Sequence, residues 1–459
     1  MAEITTKAAT PEGIAASFSQ VAAWVNGRLA GSDGAFLGAG SDSRTITNGM
    51  LFIALRGPNH DGHDHVAAAS QRGAAVALVD HPVPVNIPQI IVPDTHAALG
   101  QLGASWRKHL GLPLVAITGS NGKTTVKEMT AAILSRAGST LATRGNLNND
   151  IGVPLTLMRL DDSYRYGVIE MGANHPGEID YLVKLTRPQV AVITNAGAAH
   201  LEGFGSIEGV ARAKGEIYGG LGADGVAVIN ADDAHAGLWR TMAAQSRVVM
   251  FGIDNPADVS AQWQGDAHGS HIQLRTPAGN AEVKLAMPGR HNVLNALAAT
   301  AAALAMGVGL DAVVAGLEGL APVSGRLQIR NGRNGATIID DSYNANPVSL
   351  RAGIDVLAAC KGRRYLALGD MGELGADAER LHAEAGTYAR QAGLDAIYAT
   401  GPLSYQAVQA FGEGGYHFAD QQQLISALSP LLNGDVTVLV KGSRSSRMER
   451  VAAALTEGQ

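Results

Sequence analysis

Short apolar, β-branched runs recur along the chain. Leu114–Thr118, Val168–Glu170, Val190–Thr194, Val226–Asn230 and Val436–Val440 are examples. A strand with one wet face alternates apolar and polar residues, whereas a strand covered on both faces need not. These runs therefore predict buried parallel strands. Between them lie stretches of helical periodicity, such as 126–136 after the first run and the alanine-rich 296–306. Strands alternating with helices predict βαβ units and an α/β fold.

The chain has 459 residues, which at roughly 150 per domain suggests about three domains. Two stretches read as seams. One is the proline-rich HPVPVNIPQIIVP at 81–93, where repeated prolines oppose regular structure. The other is GLAPVSGR at 319–326, after a helical run and before a new strand at 336–339. The expected divisions are 1–88, 89–323 and 324–459.

Composition narrows the class. Hydrophobic residues make up 46% of the chain, enough for real cores, and the 57 glycines show no collagen period. Glycine at about 12% exceeds the usual ~7%, which points to tight turns or close backbone approach to ligands. A net charge of −6 gives no electrostatic case for nucleic acid or an anionic membrane. The only cysteine, Cys360, can form no intrachain disulfide and fits a reducing cytoplasm. The N-terminal residues lack the apolar core of a secretory signal. No apolar run reaches the ~18 residues of a membrane span. The expectation is a soluble cytoplasmic protein without membrane insertion.

The strand 114–118 leads into Gly119-Ser120-Asn121-Gly122-Lys123-Thr124-Thr125 and then a helix. Strand, glycine loop, Lys-Thr and helix form a phosphate-binding arrangement, in which backbone N–H groups and the helix N-terminus cradle phosphate. In such a loop Lys123 reaches the β- and γ-phosphates and the Thr124 hydroxyl ligates Mg²⁺. The common pattern has a glycine where Ile117 stands here. Glu170 closes another strand run. A carboxylate there either holds phosphate-bound Mg²⁺ or caps a loop. His200 follows the run 190–194 and reads as a ligand, a base or a plain loop histidine. Lys214 lies in a helical stretch, where a lysine is ordinarily a solvated charge.

Taken together, ITGSNGKTT (117–125), TRGNLNNDIGVP (143–154), IEMGANHPGEI (169–179), TNAGAAHLEGFGS (194–206), ARAKGEIY (211–218), PGRHNVLNALAA (288–299), IDDSYNANPVS (339–349), LGDMGELG (368–375) and VLVKGSRSSRMERV (438–451) resemble the Mur ligase family, ATP-dependent amide-forming enzymes of peptidoglycan synthesis. The resemblance covers nearly the whole chain. IDDSYNANP and GDMGELG resemble the member that adds a D-alanyl-D-alanine dipeptide. The DNPR-type motif of the member adding meso-diaminopimelate is absent from the sequence.

The resemblance implies a small α/β N-terminal domain for the UDP end of the substrate, a central P-loop ATPase and a Rossmann-like C-terminal domain. It implies a monomer joining D-alanyl-D-alanine to UDP-MurNAc-tripeptide through an acyl phosphate. By motif, Gly119 to Thr125, Asn292, Asn295, Arg326 and Asp341 correspond to ATP contacts. Thr124, Glu170, His200 and a carbamylated Lys214 correspond to ligands of two Mg²⁺ ions. Lys123, His200, Lys214 and Arg326 are the implied catalytic set. Ser43, Arg44 and Asn146 are candidates for the UDP substrate. Asn344, Asn346 and the loop 370–375 are candidates for the dipeptide.

Two other readings compete. One is a different amide ligase of the same architecture, although a folate enzyme typically starts directly with its P-loop domain. The other is a P-loop regulator without ligase activity. A guanine-specific switch is expected to carry Asn-Lys-x-Asp, and the corresponding strand end reads Thr194-Asn-Ala-Gly197. The histidine-rich run His60-Asp-Gly-His-Asp-His65 has zinc-ligand residue types, but its glycine and polarity favour a turn. Cys360, at a helix end, reads as a small half-buried residue.

Overall fold

The computed structural model describes residues 12–457 apart from 199, 200, 267 and 322. Three sheets of five, nine and six strands dominate it.

The nine-stranded sheet runs in the order Thr140–Ala142, Tyr166–Glu170, Leu114–Thr118, Val190–Ile193, Val226–Asn230, Arg247–Gly252, Val259–Gly265, Ser270–Thr276, Gly279–Leu285. Its first seven strands are parallel, and the last two extend it as an antiparallel meander. The reason for the continuous apolar runs is visible at Leu114–Thr118, where every residue is buried. Val115 and Ile117 enter one core with Met129, Ile133 and Ala296. Leu114 and Ala116 enter another with Val153, Leu157 and Leu182. Each fully buried aliphatic side chain contributes about 1.5–3 kcal/mol, so neither face tolerates a polar residue.

The alanine-rich stretch belongs to the helix Arg290–Ala305, which is buried along most of its length and packs on the helix Lys123–Leu134. Small side chains let the two axes approach closely. No helix among the described residues is long and apolar enough to cross a membrane.

The five-stranded sheet has the order Arg28–Ala30, Gln89–Ile91, Val76–Val79, Leu51–Ile53, Ala39–Gly40. It therefore includes a strand just past the expected division at 88. The proline-rich run is a crossover within this sheet rather than a linker. Proline removes backbone donors, and the Gln89 side chain braces the loop by accepting from Val83 N at 2.9 Å and donating to Val83 O at 2.8 Å. The helix Thr95–Leu110, capped by Asp94, lays Leu99, Leu102 and Trp106 on the same core.

The six-stranded sheet has the order Gln328–Asn331, Thr337–Asp341, Val436–Lys441, Arg363–Gly369, Ala396–Thr400, Gly415–Phe418. Only its first pair is antiparallel. The stretch 319–326 joins the helix Leu310–Glu318 to the first of these strands.

Parallel strands bring their carboxyl ends to one edge, where open α/β sheets bind ligands. In the central sheet Leu114–Thr118 sits between the strands ending at Glu170 and Ile193. The loops that follow those three ends are neighbours for that reason alone.

Candidate active site

A cleft of about 880 Å³ lies where the carboxyl edge of the central sheet faces that of the last sheet. Its centre is the loop before the helix Lys123–Leu134. Gly122 caps that helix with φ +81°, in the left-handed region, and a Cβ there would collide with Asn295 Oδ1. The residue is glycine for both reasons. The loop is tied to the next strand end. Ser120 N donates to Asn195 O and Asn121 N to Asn195 Oδ1, both at 3.0 Å, and Thr194 Oγ1 donates to Asn121 O at 2.6 Å. Ser120 Oγ accepts from Gly197 N at 3.0 Å. Thr125 is buried in the first helical turn.

Lys123 folds back over the loop, its Nζ donating to Gly119 O at 2.6 Å and Ser120 O at 3.3 Å. Withdrawal from water lowers its pKa, opposed by Glu170 and reinforced by Arg326. Glu170 is 2% exposed. Its Oε1 accepts from Asn148 Nδ2 at 2.9 Å, while Oε2 is buried with no partner. An orphaned carboxylate oxygen is costly unless a cation or a donor meets it. Beside a phosphate loop, the donor set suits Mg²⁺, a hard ion that takes oxygen ligands.

Lys214, on the helix Ile207–Gly215, is 1% exposed. Its Nζ donates to Ala173 O at 3.3 Å and lies 5.2 Å from the centre of the Phe204 ring. No carboxylate is paired with it among the described residues. Burial, then repulsion from Lys123, pushes its pKa down to about 7, against the pull of Glu178 and Glu216. A solvated surface charge is thus excluded. His200 lies outside the described residues.

The remaining candidates come from further along the chain. Asn292 and Asn295 open the buried helix. Asn292 Nδ2 donates to Pro288 O at 2.8 Å, and Asn295 Nδ2 to Asn292 Oδ1 at 3.1 Å. Arg326 reaches over from the last sheet's side, and its Nη2 donates to Thr124 Oγ1 at 2.9 Å. Asp341 Oδ1 accepts from Leu327 N at 3.2 Å, and Oδ2 pairs with Lys441 Nζ, which also donates to Asn344 O at 3.0 Å. Burial raises the Asp341 pKa against the pull of Lys441. His291 beside them is held neutral, pushed down to about 4 by burial and by Lys441.

Asn146 and Asn344 line the cleft, as does Asn346. The Asn346 amide is committed at both ends. Its Oδ1 accepts from Ser349 N at 2.9 Å to cap the helix Pro347–Ala358, and its Nδ2 donates to Asn121 Oδ1 at 2.7 Å. Ser43 and Arg44 are not among the cleft's residues. Arg44 is exposed and pairs with Asp42 at 2.8 Å. His63 is locked in a turn, with Nδ1 against Asp61 Oδ1 at 2.6 Å and Nε2 accepting from Asp80 N at 3.0 Å. Cys360 is half-buried, and burial raises its thiol pKa. Sequence reasoning assigned no role to Asn148, His291 or Lys441. The only signal for each was its place inside a quoted motif.

Residues 36–107 match the family described as Mur ligase family, catalytic domain. Residues 117–303 match Mur ligase middle domain, and 325–444 match Mur ligase, glutamate ligase domain. The chain is 46% identical to the UDP-N-acetylmuramoyl-tripeptide–D-alanyl-D-alanine ligase of Escherichia coli K12, over 97% of this chain and 99% of that protein. The crystal structure of MurF from Acinetobacter baumannii superposes with a TM-score of 0.92 at 39% identity, covering 97% of this chain and 100% of that one. The MurF ligase of Thermotoga maritima, solved in complex with ADP, gives 0.82 at 27% identity over 91% and 96%.

Proposed function

The chain belongs to the Mur ligase family, and from that premise we propose that it joins D-alanyl-D-alanine to UDP-MurNAc-tripeptide at the expense of ATP. The products are UDP-MurNAc-pentapeptide, ADP and phosphate, and the role is peptidoglycan synthesis. The carrying observation is a cleft that places a glycine-cradled lysine, a buried orphan carboxylate oxygen and an arginine from the far side around one point.

A carboxylate is a poor acyl donor because oxide cannot leave. Transfer of the γ-phosphoryl group makes an acyl phosphate and releases ADP. The dipeptide's free amine then attacks the acyl carbon, losing a proton, and phosphate leaves from the tetrahedral intermediate. Phosphoryl transfer needs positioning and charge neutralisation more than covalent help. Loop N–H groups and Lys123 hold the phosphates, and Arg326 brings positive charge from the opposite wall. Asn292 and Asn295 are assigned to the adenine side, and Asp341 to ATP contact through the segment that carries Arg326. Thr124 and Glu170 would hold one Mg²⁺, with His200 and carbamylated Lys214 at a second. Bound there, the ions would neutralise charge on the transferring group. A closed cleft protects the acyl phosphate from water.

Ser43, Arg44 and Asn146 are assigned to the UDP substrate, and Asn344, Asn346 and the loop 370–375 to the dipeptide side. We place the first domain seam near residue 110, because the helix Thr95–Leu110 packs on the N-terminal core, and the second near 323. We assign the chain action as a monomer. The lone cysteine suits the cytoplasm.

The test is phosphate release with ATP and UDP-MurNAc-tripeptide against a panel of amines: D-alanyl-D-alanine, L-alanyl-L-alanine, D-glutamate, meso-diaminopimelate and L-lysine. Stimulation by D-alanyl-D-alanine alone is expected. Stimulation by a single amino acid instead would assign a different member of the family.

A further inference from the structure

We infer that Tyr343 is a positioning residue for phosphoryl transfer: its ring face holds the Arg326 guanidinium in the cleft without neutralising it. The inference rests on the reading that Arg326 acts on the transferring phosphoryl group.

Arg326 sits on the stretch leading into the last sheet and must reach across the cleft to Thr124. A free arginine side chain samples many rotamers, so some contact has to select this one. The usual device is a carboxylate, but no Asp or Glu forms an ion pair with Arg326 among the described residues. Asp341, which senses the same guanidinium, is taken by Lys441 and the Leu327 amide. Instead the Arg326 Cζ stands 4.4 Å from the centre of the Tyr343 ring.

The ring is itself fixed relative to the arginine's backbone. Tyr343 N donates to Gly325 O at 3.1 Å, so the residue before Arg326 is bonded to Tyr343. The residue after it, Leu327, is bonded to Asp341 at 3.2 Å. Gly325 has φ +67°, and a Cβ there would stand 3.2 Å from Tyr343 N, so this approach favours glycine. Arginine and ring are thus clamped on both sides of the peptide that carries the guanidinium.

The chemistry explains the choice of an aromatic. A carboxylate partner would cancel the charge that Arg326 delivers. A ring face attracts the cation through its quadrupole and takes none of its N–H donors. One donor goes to Thr124, and the others stay available to phosphoryl oxygens.

The test uses the full chain with UDP-MurNAc-tripeptide and D-alanyl-D-alanine, following phosphate release. Tyr343→Leu is expected to lower kcat about 10-fold, the order of a partly desolvated cation–π contact. The KM for UDP-MurNAc-tripeptide should stay within about twofold, because the contact acts in the transfer step. Tyr343→Phe and Tyr343→Trp, which keep a ring face, should recover most of the rate. In an Arg326→Ala background, Tyr343→Leu should cost nothing further, since the two residues act as one unit. Wild-type kcat in Tyr343→Leu, or independent losses in the double variant, overturns the inference. Full activity of Arg326→Ala alone instead overturns the reading beneath it. Melting curves establish that each variant folds, and Tyr343→Met replaces Tyr343→Leu if the latter does not.

Discussion

Lys214 offers the sharpest quantitative test, because the structure makes it expensive. Its ammonium is buried with one long hydrogen bond, and its pKa falls from an ordinary 10.5 to about 7. At pH 7 about half of the side chains are neutral amine, against roughly one in 3,000 for an ordinary lysine. Only the neutral amine adds CO2, so the proposed carbamate would form more readily here than on an ordinary lysine. The same shift costs stability. The unfolded chain binds more protons than the folded one between pH about 7 and 10.5, so wild-type stability rises with pH across that window. Below pH 7 the full penalty applies, and at pH 7.5 it is ~4 kcal/mol in bicarbonate-free buffer. Lys214→Met keeps an unbranched chain and removes the charge. It should raise the melting temperature of the central unit by about 8–16 °C near pH 7. That gain should be complete below pH 7 and vanish above pH 10.5. The variant should also lose turnover, and bicarbonate should restore a depleted wild-type enzyme but not the variant. Thermal melts from pH 6 to 10.5, paired with phosphate release with and without bicarbonate, check both halves. A variant less stable than wild type at pH 6 would refute the burial argument. A variant with wild-type turnover would refute the role.

Three further outcomes follow from the cleft. Glu170→Gln keeps the oxygen that accepts from Asn148 but removes the charge at the orphaned one; phosphate release titrated with Mg²⁺ should fall at least ~100-fold while the melt is unchanged or improved. Gly122→Ala adds strain at φ +81° and a clash with Asn295, so the Kd for ADP measured by calorimetry should rise at least ~10-fold. Lys441→Met strands the buried Asp341 carboxylate and should cost ~3–5 kcal/mol in denaturant unfolding. That deficit should shrink on acidification, because a carboxyl with a raised folded pKa is relieved as it takes up its proton.

Much of the central unit was legible because its constraints are local. A strand covered on both faces must be apolar throughout, and a loop that closes on phosphate must carry glycine before Lys-Thr. Asn346 stands in the sequence as a dipeptide candidate, and the structure adds a cap role: Asn-Pro-Val-Ser at 346–349 is an N-cap, a proline at the first helical position and a serine three residues on. The proline-rich run reads as a domain end because prolines oppose regular structure, yet a glutamine side chain satisfies both backbone groups of Val83 between two of them and holds the run within the sheet. Lys441 could not be read at all. At the end of an apolar run it looks like a strand terminator, and its partner stands 100 positions earlier. Parallel pairing sets Asp341 directly beside Lys441, a register fixed only when the whole sheet forms.

Charge shows the same divide between composition and site. A net charge of −6 argues against polyanion binding by the surface as a whole. The cleft as a whole is lined by both signs, but beside Lys123 the charges are mostly alike: Lys123 and Lys214 repel one another and Arg326 lowers the Lys123 pKa, with Glu170 opposing them. Three cations held this close cost folding energy unless an anion joins them. A nucleotide phosphate supplies that anion, so the arrangement that weakens the free chain strengthens the bound one. The Arg326–Thr124 and Asn346–Asn121 bonds bring the two walls together around this charge. Nucleotide binding should therefore stabilise the contact between the last sheet and the central one, not merely the phosphate loop.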